Sequence, residues 1–279
     1  MLVDHHCHLD FPNLAGDLPG VLARARRAGV GTVVTIATHV RRFDVYRAIA
    51  EAHDDVWFSV GTHPHYADEE PDIETAEIVR LAGHEKCVAV GEAGLDYHYQ
   101  RSSRRAQAEG FRRHIDAARR SGLPLEIHAR EADADTLAIL REEHAKGAFP
   151  AVLHCFTGGR ELALGAIDLG LYVSFSGIAT FKTGAALRDI ACELPLEAIL
   201  VETDAPYLAP LPFRGKANEP AYVAHTAAAL AEARGLPLGD FARATTDNFF
   251  RLYSKARRPA AAPELPAQTV PDAPARGPQ

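Results

Sequence analysis

The chain has 279 residues, 47% of them hydrophobic and 24% charged, an ordinary globular composition long enough to bury a core without disulfide or metal staples. The formal net charge is -7; residues 255–279 carry Lys255, Arg257, Arg258 and Arg276 against Glu264 and Asp272, a net +2, which leaves the body at -9. Such a body excludes a broad basic face for polyanions, so any attraction for nucleic acid has to be local.

From the N-terminus, short β-branched apolar runs alternate with amphipathic stretches rich in Ala, Leu, Arg and Glu. The runs are 2–6, 32–37, 56–61, 87–91, 124–128, 151–154, 172–175 and 198–202. Between them lie helical patterns at 18–28, 44–53, 73–82, 104–121, 135–144, 161–169 and 187–194, and one more at 222–234 follows the last run. Buried runs alternating with helices indicate parallel β-units. Eight units predict an α/β fold, a (β/α)8 TIM barrel of metal-dependent hydrolase type. A doubly wound open sheet is the rival, and no GxGxxG follows the first run to supply its phosphate loop. The expected layout is one domain over 1–254 and a Pro/Ala-rich, disordered tail over 255–279.

No run approaches the roughly 20 apolar residues that a membrane helix needs. The start, Met-Leu-Val-Asp-His-His, has neither a basic flank nor an apolar signal segment. The cysteines (Cys7, Cys87, Cys155 and Cys192) are scattered with no CxxC pair. A cytoplasmic protein with no membrane association and no obligate protein partner is therefore expected.

In a (β/α)8 barrel, function gathers at the carboxyl ends of the strands. Of the 14 histidines, His5, His6, His8, His63, His65, His128 and His154 fall where a predicted strand ends, as do Glu92, Glu202 and Asp204. The first strand ends in DHHCHLD. Strand alternation puts His6 and His8 on one face, converging two imidazoles on one ion, and turns His5 and Cys7 to the other. The third ends in VGTHPH, where His63 suits substrate positioning or acid–base work and His65 a substrate contact. In VAVGEAGLDY, Glu92 lies between Gly91 and Gly94 and can reach two ions, while Asp96 reads as a supporting or capping acid. His128 in PLEIHARE and His154 in AVLHCFTGG follow residues that should be buried. Each alone reads as a core histidine, but together beside Glu92 they favour a second metal. In AILVETDAPYL, Asp204 suits a ligand that also takes a proton from water, and the deeper Glu202 a group that orients a ligand. His39, His53, His84, His98, His114, His144 and His225 are expected on the surface.

With these segments in this order, the sequence resembles the TatD-type metal-dependent deoxyribonucleases of the amidohydrolase superfamily. DHHCHLD, VGTHPH, GEAGLDY, IHARE, HCFTGG and ETDAPYLAP followed by RGKANEP carry the likeness over nearly the whole chain. The resemblance implies one divalent ion on His6, His8, Glu92 and Asp204, and another on Glu92, His128 and His154, with Glu92 bridging. His5 replaces the usual Thr, and Ala93 a residue more often Ile. The resemblance further implies a 3'-5' exonuclease on single-stranded DNA, or another phosphodiesterase. Two close cations would lower the pKa of a shared water and clamp the phosphodiester, with Asp204 and His63 catalytic. Arg130, Arg214 and Asn218 would meet phosphate, and Tyr97 or Tyr207 would stack on a base. Zn, Mn, Co and Ni suit the His-rich donor set, Zn or Mn binding tightest, and the family points to Mg as well. The same site can hydrolyse an amide, a lactone or an ester such as D-aminoacyl-tRNA, and a non-catalytic scaffold is the third reading.

Overall fold

The computed structural model describes residues 1–261 and 263–266. Its eight strands are β1 (Leu2–Cys7), β2 (Val30–Thr35), β3 (Val56–Val60), β4 (Cys87–Asp96), β5 (Leu125–Arg130), β6 (Ala151–Leu153), β7 (Tyr172–Phe175) and β8 (Ile199–Val201). They pair in sequence order, every neighbour parallel. The barrel closes between β1 and the segment just past β8. There the Asp204 N–H donates to the His6 carbonyl at 2.9 Å and the His8 N–H to the Ala205 carbonyl at 2.8 Å. The helices are α1 (Pro12–Ala15), α2 (Leu18–Arg27), α3 (Phe43–Glu51), α4 (Thr75–Ala82), α5 (Arg104–Ser121), α6 (Asp133–Lys146), α7 (Arg160–Asp168), α8 (Ala185–Glu193), α9 (Val223–Ala233) and α10 (Leu238–Leu252). None of the described helices is long and apolar enough to cross a membrane.

Two elements depart from expectation. Strand β4 runs on through Glu92 to Asp96 instead of stopping at Gly91. Its glycines allow this: Gly91 and Gly94 have φ of 119° and 148°, and a Cβ at Gly94 would strike the His128 carbonyl. Helix α10 is an addition. Its Phe249 and Leu252, with Tyr253 and Ala256 beyond it, pack on Val3, Val34, Trp57, Val88, Val152 and Leu200, so it plugs the amino-terminal end of the barrel. The segment from Lys255 begins as an extension of that plug. The Lys255 ammonium donates to the Ala82 and His84 carbonyls at 2.9 and 2.5 Å, and Leu265 packs against the core. The rest of the expected tail, 267–279, lies outside the described residues.

His114 is a correction: it is 3% exposed, because α5 turns it inward beneath the third βα-loop. Its Nδ1–H donates to the Gly110 carbonyl at 2.7 Å, and its Nε2 accepts the Thr62 N–H at 3.0 Å, so the ring is neutral. Burial pushes its pKa down to about 4. The unfolded chain, with an ordinary histidine near 6.5, therefore takes up a proton that the fold excludes as pH falls from 6.5 toward 4. Stability present above that window is lost through it, by about 3 kcal/mol. Urea unfolding in excess chelator should show this loss, and His114→Gln, which keeps one donor and one acceptor, should flatten it. Equal pH slopes for the two proteins would refute the assignment.

Candidate metal centre

Seven side chains converge at the carboxyl end of the barrel. Glu92, 1% exposed, sits at their centre and divides its two oxygens. Oε2 lies 3.4 Å from His6 Nε2 and 4.0 Å from His8 Nε2, and Asp204 Oδ1 stands 3.9 and 3.6 Å from the same two nitrogens. Oε1 lies 2.8 Å from His128 Nδ1, 2.7 Å from His154 Nε2 and 3.4 Å from His63 Nε2. Burial would raise the Glu92 carboxyl; the facing His63 and His154 and the hydrogen bonds of His128 and His154 outweigh it and hold the group well below the usual carboxylate range.

The far side of each ring is tied down. His6 Nδ1 faces Glu126 Oε2 at 3.2 Å, His8 Nδ1 the Ile36 carbonyl at 3.2 Å, His128 Nε2 Asp96 Oδ2 at 3.0 Å, and His154 Nδ1 Glu202 Oε1 at 3.2 Å. These contacts aim the other ring nitrogen into the centre, as metal-binding histidines require. Asp96 also caps the turn after β4, accepting from the His98 and Tyr99 amides, and Glu202 accepts the Cys155 N–H at 3.0 Å. Both supporting roles match the sequence reading.

The donors fit divalent ions. His6 Nε2 and Glu92 Oε2 are buried and lack a hydrogen-bond partner while facing each other. Leaving such groups unsatisfied costs about 1–3 kcal/mol each, more when charged. Donors about 2.1 Å from one ion stand about 3.4 Å apart in a tetrahedron; the spacings on the His6 and His8 side, 3.4–4.0 Å, lie near that, while His128 and His154 stand at hydrogen-bond distance from Glu92 Oε1. Nitrogen with carboxylate oxygen suits Zn, Mn, Co or Ni. Three-donor clusters of the right spacing are His6–His8–Glu92, His63–Glu92–His128 and His6–His154–Glu202. His63 is thus as near Glu92 as a ligand would be. However, its Nδ1 accepts the His65 N–H at 3.0 Å, which puts the proton of the neutral ring on Nε2, and burial lowers its pKa to about 4. It is better suited to donate a hydrogen bond than to bind an ion.

Above the centre opens a cavity of about 960 Å³, lined by Phe11, Tyr66, Tyr99, Arg101, Arg130 and Tyr207 around the ligating groups. Phe11 stacks on His8 with ring centroids 4.8 Å apart. Tyr99, 50% exposed, has the guanidinium carbons of Arg130 and Arg101 at 4.9 and 5.7 Å from its ring centre. His65 also lines the cavity, with its Nε2 2.9 Å from Asp96 Oδ2.

Three of the expected substrate contacts are placed elsewhere. Asn218 is fully buried; its amide donates to the Thr203 and Tyr207 carbonyls at 2.9 and 2.6 Å, so it pins the loop carrying Asp204. The Tyr97 hydroxyl donates to Asp135, and Arg104 covers its ring at 3.9 Å, which turns it away from the cavity. Arg214 lies over Phe181 at 4.7 Å, outside the cavity lining. Tyr99 and Arg101 line the cavity, and Tyr97 and Arg214 do not.

His5 is the other correction. The β1–β2 register shifts between Asp4 and Cys7, so strict alternation fails and His5 turns inward with His6. It meets Glu126 Oε1 at 3.3 Å and Glu202 Oε2 at 3.2 Å. Glu126, unnoticed in the sequence, is fully buried with its pKa near 2: burial opposes ionisation, and the facing His5 and His6 overcome it. Its signal was its place two residues before His128, on the same strand face.

The family model described as TatD related DNase matches residues 3–254. An Escherichia coli K12 protein named uncharacterized metal-dependent hydrolase YcfH is 45% identical over 255 residues, covering 90% of this chain and 95% of that protein. One from Pantoea ananatis named 3'-5' ssDNA/RNA exonuclease TatD is 34% identical over 259 residues, covering 90% and 99%. The crystal structure of YjjV, a TatD homolog from Escherichia coli K12, superposes with a TM-score of 0.83 at 30% identity, covering 91% and 98%.

Proposed function

Since the chain belongs to the TatD related DNase family, we propose that it is a metal-dependent hydrolase that trims single-stranded nucleic acid from its 3' end at a two-ion centre. The observation that carries the nucleic-acid reading is the cavity mouth, where exposed Tyr99 between Arg101 and Arg130 offers a stacking face flanked by two cations. Stacking with local positive charge can hold a single strand on a body whose net charge is negative, as it is here. The name of the Pantoea relative supports the direction and the substrate.

In this reading His6, His8, Glu92 and Asp204 would hold one ion, and Glu92, His128 and His154 the other. The ions would polarise the phosphoryl oxygens and make water acidic enough to attack near neutral pH. Asp204, at the mouth with a 15% exposed side chain, takes the proton from the attacking water. The His63 Nε2–H donates to a phosphoryl oxygen as charge builds there, and Arg130 neutralises the neighbouring phosphate. The cysteines described as free thiols (Cys7, Cys87, Cys155 and Cys192) suit the reducing cytoplasm in which we place the reaction.

Single-stranded DNA labelled at its 5' end, incubated with Mn2+-loaded protein, should shorten in single-nucleotide steps. Chelator and His128→Ala should each stop the shortening. Intact DNA in the presence of two bound ions would move the assignment to an ester or amide substrate such as D-aminoacyl-tRNA.

A further inference from the structure

We propose that His5 ties the two halves of the metal centre together from below: held between Glu126 and Glu202, it fixes the carboxylates that aim His6 and His154 and so sets the affinity of both ion sites at once. The inference rests on the two-ion reading above and concerns residues to which that reading gives no part.

The geometry is a continuous buried chain. His6 Nδ1 faces Glu126 Oε2 at 3.2 Å, and the other oxygen of Glu126 faces His5 Nδ1 at 3.3 Å. His5 Nε2, hydrogen-bonded to Ser174 Oγ, also lies 3.2 Å from Glu202 Oε2 as an ion-pair contact without hydrogen-bond geometry, and the other oxygen of Glu202 faces His154 Nδ1 at 3.2 Å. Each end of the chain is thus a histidine aimed at a different oxygen of Glu92. The two end rings also stack on each other, with centroids 3.8 Å apart and planes 4° from parallel. His5 is steadied by Ser174 Oγ at 2.6 Å and by the Tyr253 hydroxyl at 3.0 Å, and that hydroxyl also donates to Glu126. Tyr253 rises from the end of α10, so the plug of the barrel reaches the floor of the site.

A carboxylate left without its partner rotates and loosens the ring it aims, and such outer contacts are worth about 10–100-fold in metal affinity. A threonine has a single hydroxyl donor and cannot address two carboxylates on different strands, whereas an imidazole presents a nitrogen to each. Tyr253 touches Glu126 and the Nδ1 side of His5, so its loss should weigh more on the ion served by His6 than on the other.

The test is a Mn2+ titration of the full chain, stripped of metal, against a chromophoric chelator. Wild type should take up two ions, with both steps weakened about tenfold or more in His5→Thr. Tyr253→Phe should weaken one step more than the other. Melting temperature in chelator separates any general loss of stability from these selective losses. Either step of a folded H5T variant lying within twofold of wild type would overturn the coupling. If H5T does not fold, Y253F decides, weakening that falls more on one step supporting the chain through Glu126 and two unchanged or equally weakened steps overturning it. Fewer than two ions in wild type would remove the two-ion reading itself, and the proposal with it.

Discussion

Glu92→Ala is expected to abolish metal-dependent turnover, lowering it by about 10³-fold or more, while the barrel still folds. Among the described residues, Glu92 is the one group whose two oxygens address both halves of the centre, with His6 and His8 on one side and His128 and His154 on the other. Losing a single oxyanion donor costs an enzyme about 10²–10³-fold, and losing the clamp that spaces two ions should cost at least the upper end of that range. The fold should survive because the strand on either side of Glu92 is held by pairing of Val90, Ala93 and Gly94 with β5 and by apolar packing that the substitution does not touch. The measurement is turnover together with ion content and circular dichroism. Both ions should bind more weakly, and saturating Mn2+ should fail to restore the rate. A folded variant that keeps two ions and wild-type turnover would end the bridging assignment.

The architecture was legible because each strand of a parallel barrel is buried on both faces and reads as an apolar run, and because the polar residues interrupting those runs sit at one end. His128 and Glu92 were legible for that reason. What escaped was governed by geometry that a linear pattern does not carry. His5 faces inward only because of a register shift in β1, and strict alternation assigns it to the other side. Glu126 shares a face with His128 but lies one layer deeper, where an acid in an apolar run looks like an anomaly until His5 and His6 are seen against it. Helix α10 has apolar spacing at Leu238, Phe241, Ala242, Phe249 and Leu252, yet eight units were already complete without it. Asn218 sits in a segment where barrel enzymes hold phosphate, but its amide is consumed by two carbonyls of its own loop. Tyr97 and Tyr99 differ by two residues, and only the turn capped by Asp96 decides which one faces the cavity.

Asp204→Asn should separate binding from chemistry. The residue has φ of 56°, a left-handed conformation that Asn adopts as readily as Asp, and its N–H closes the barrel against the His6 carbonyl. The backbone therefore has no reason to move. The amide oxygen can still face His6 and His8 where Oδ1 now stands, 3.9 and 3.6 Å from their Nε2 atoms, so ions should be retained at saturating Mn2+. What the amide cannot do is accept a proton from water. General-base catalysis contributes about 10²–10⁴-fold, so kcat should fall within that range while KM for an oligonucleotide changes little. Tyr99→Ala is the natural counterpart: it removes a stacking face without touching the ligands, and should raise KM while sparing kcat. If instead D204N turns over at the wild-type rate with two ions bound, the proton leaves by another route. His63 is not that route, because its Nδ1 accepts the His65 N–H and its Nε2 already carries the proton of the ring.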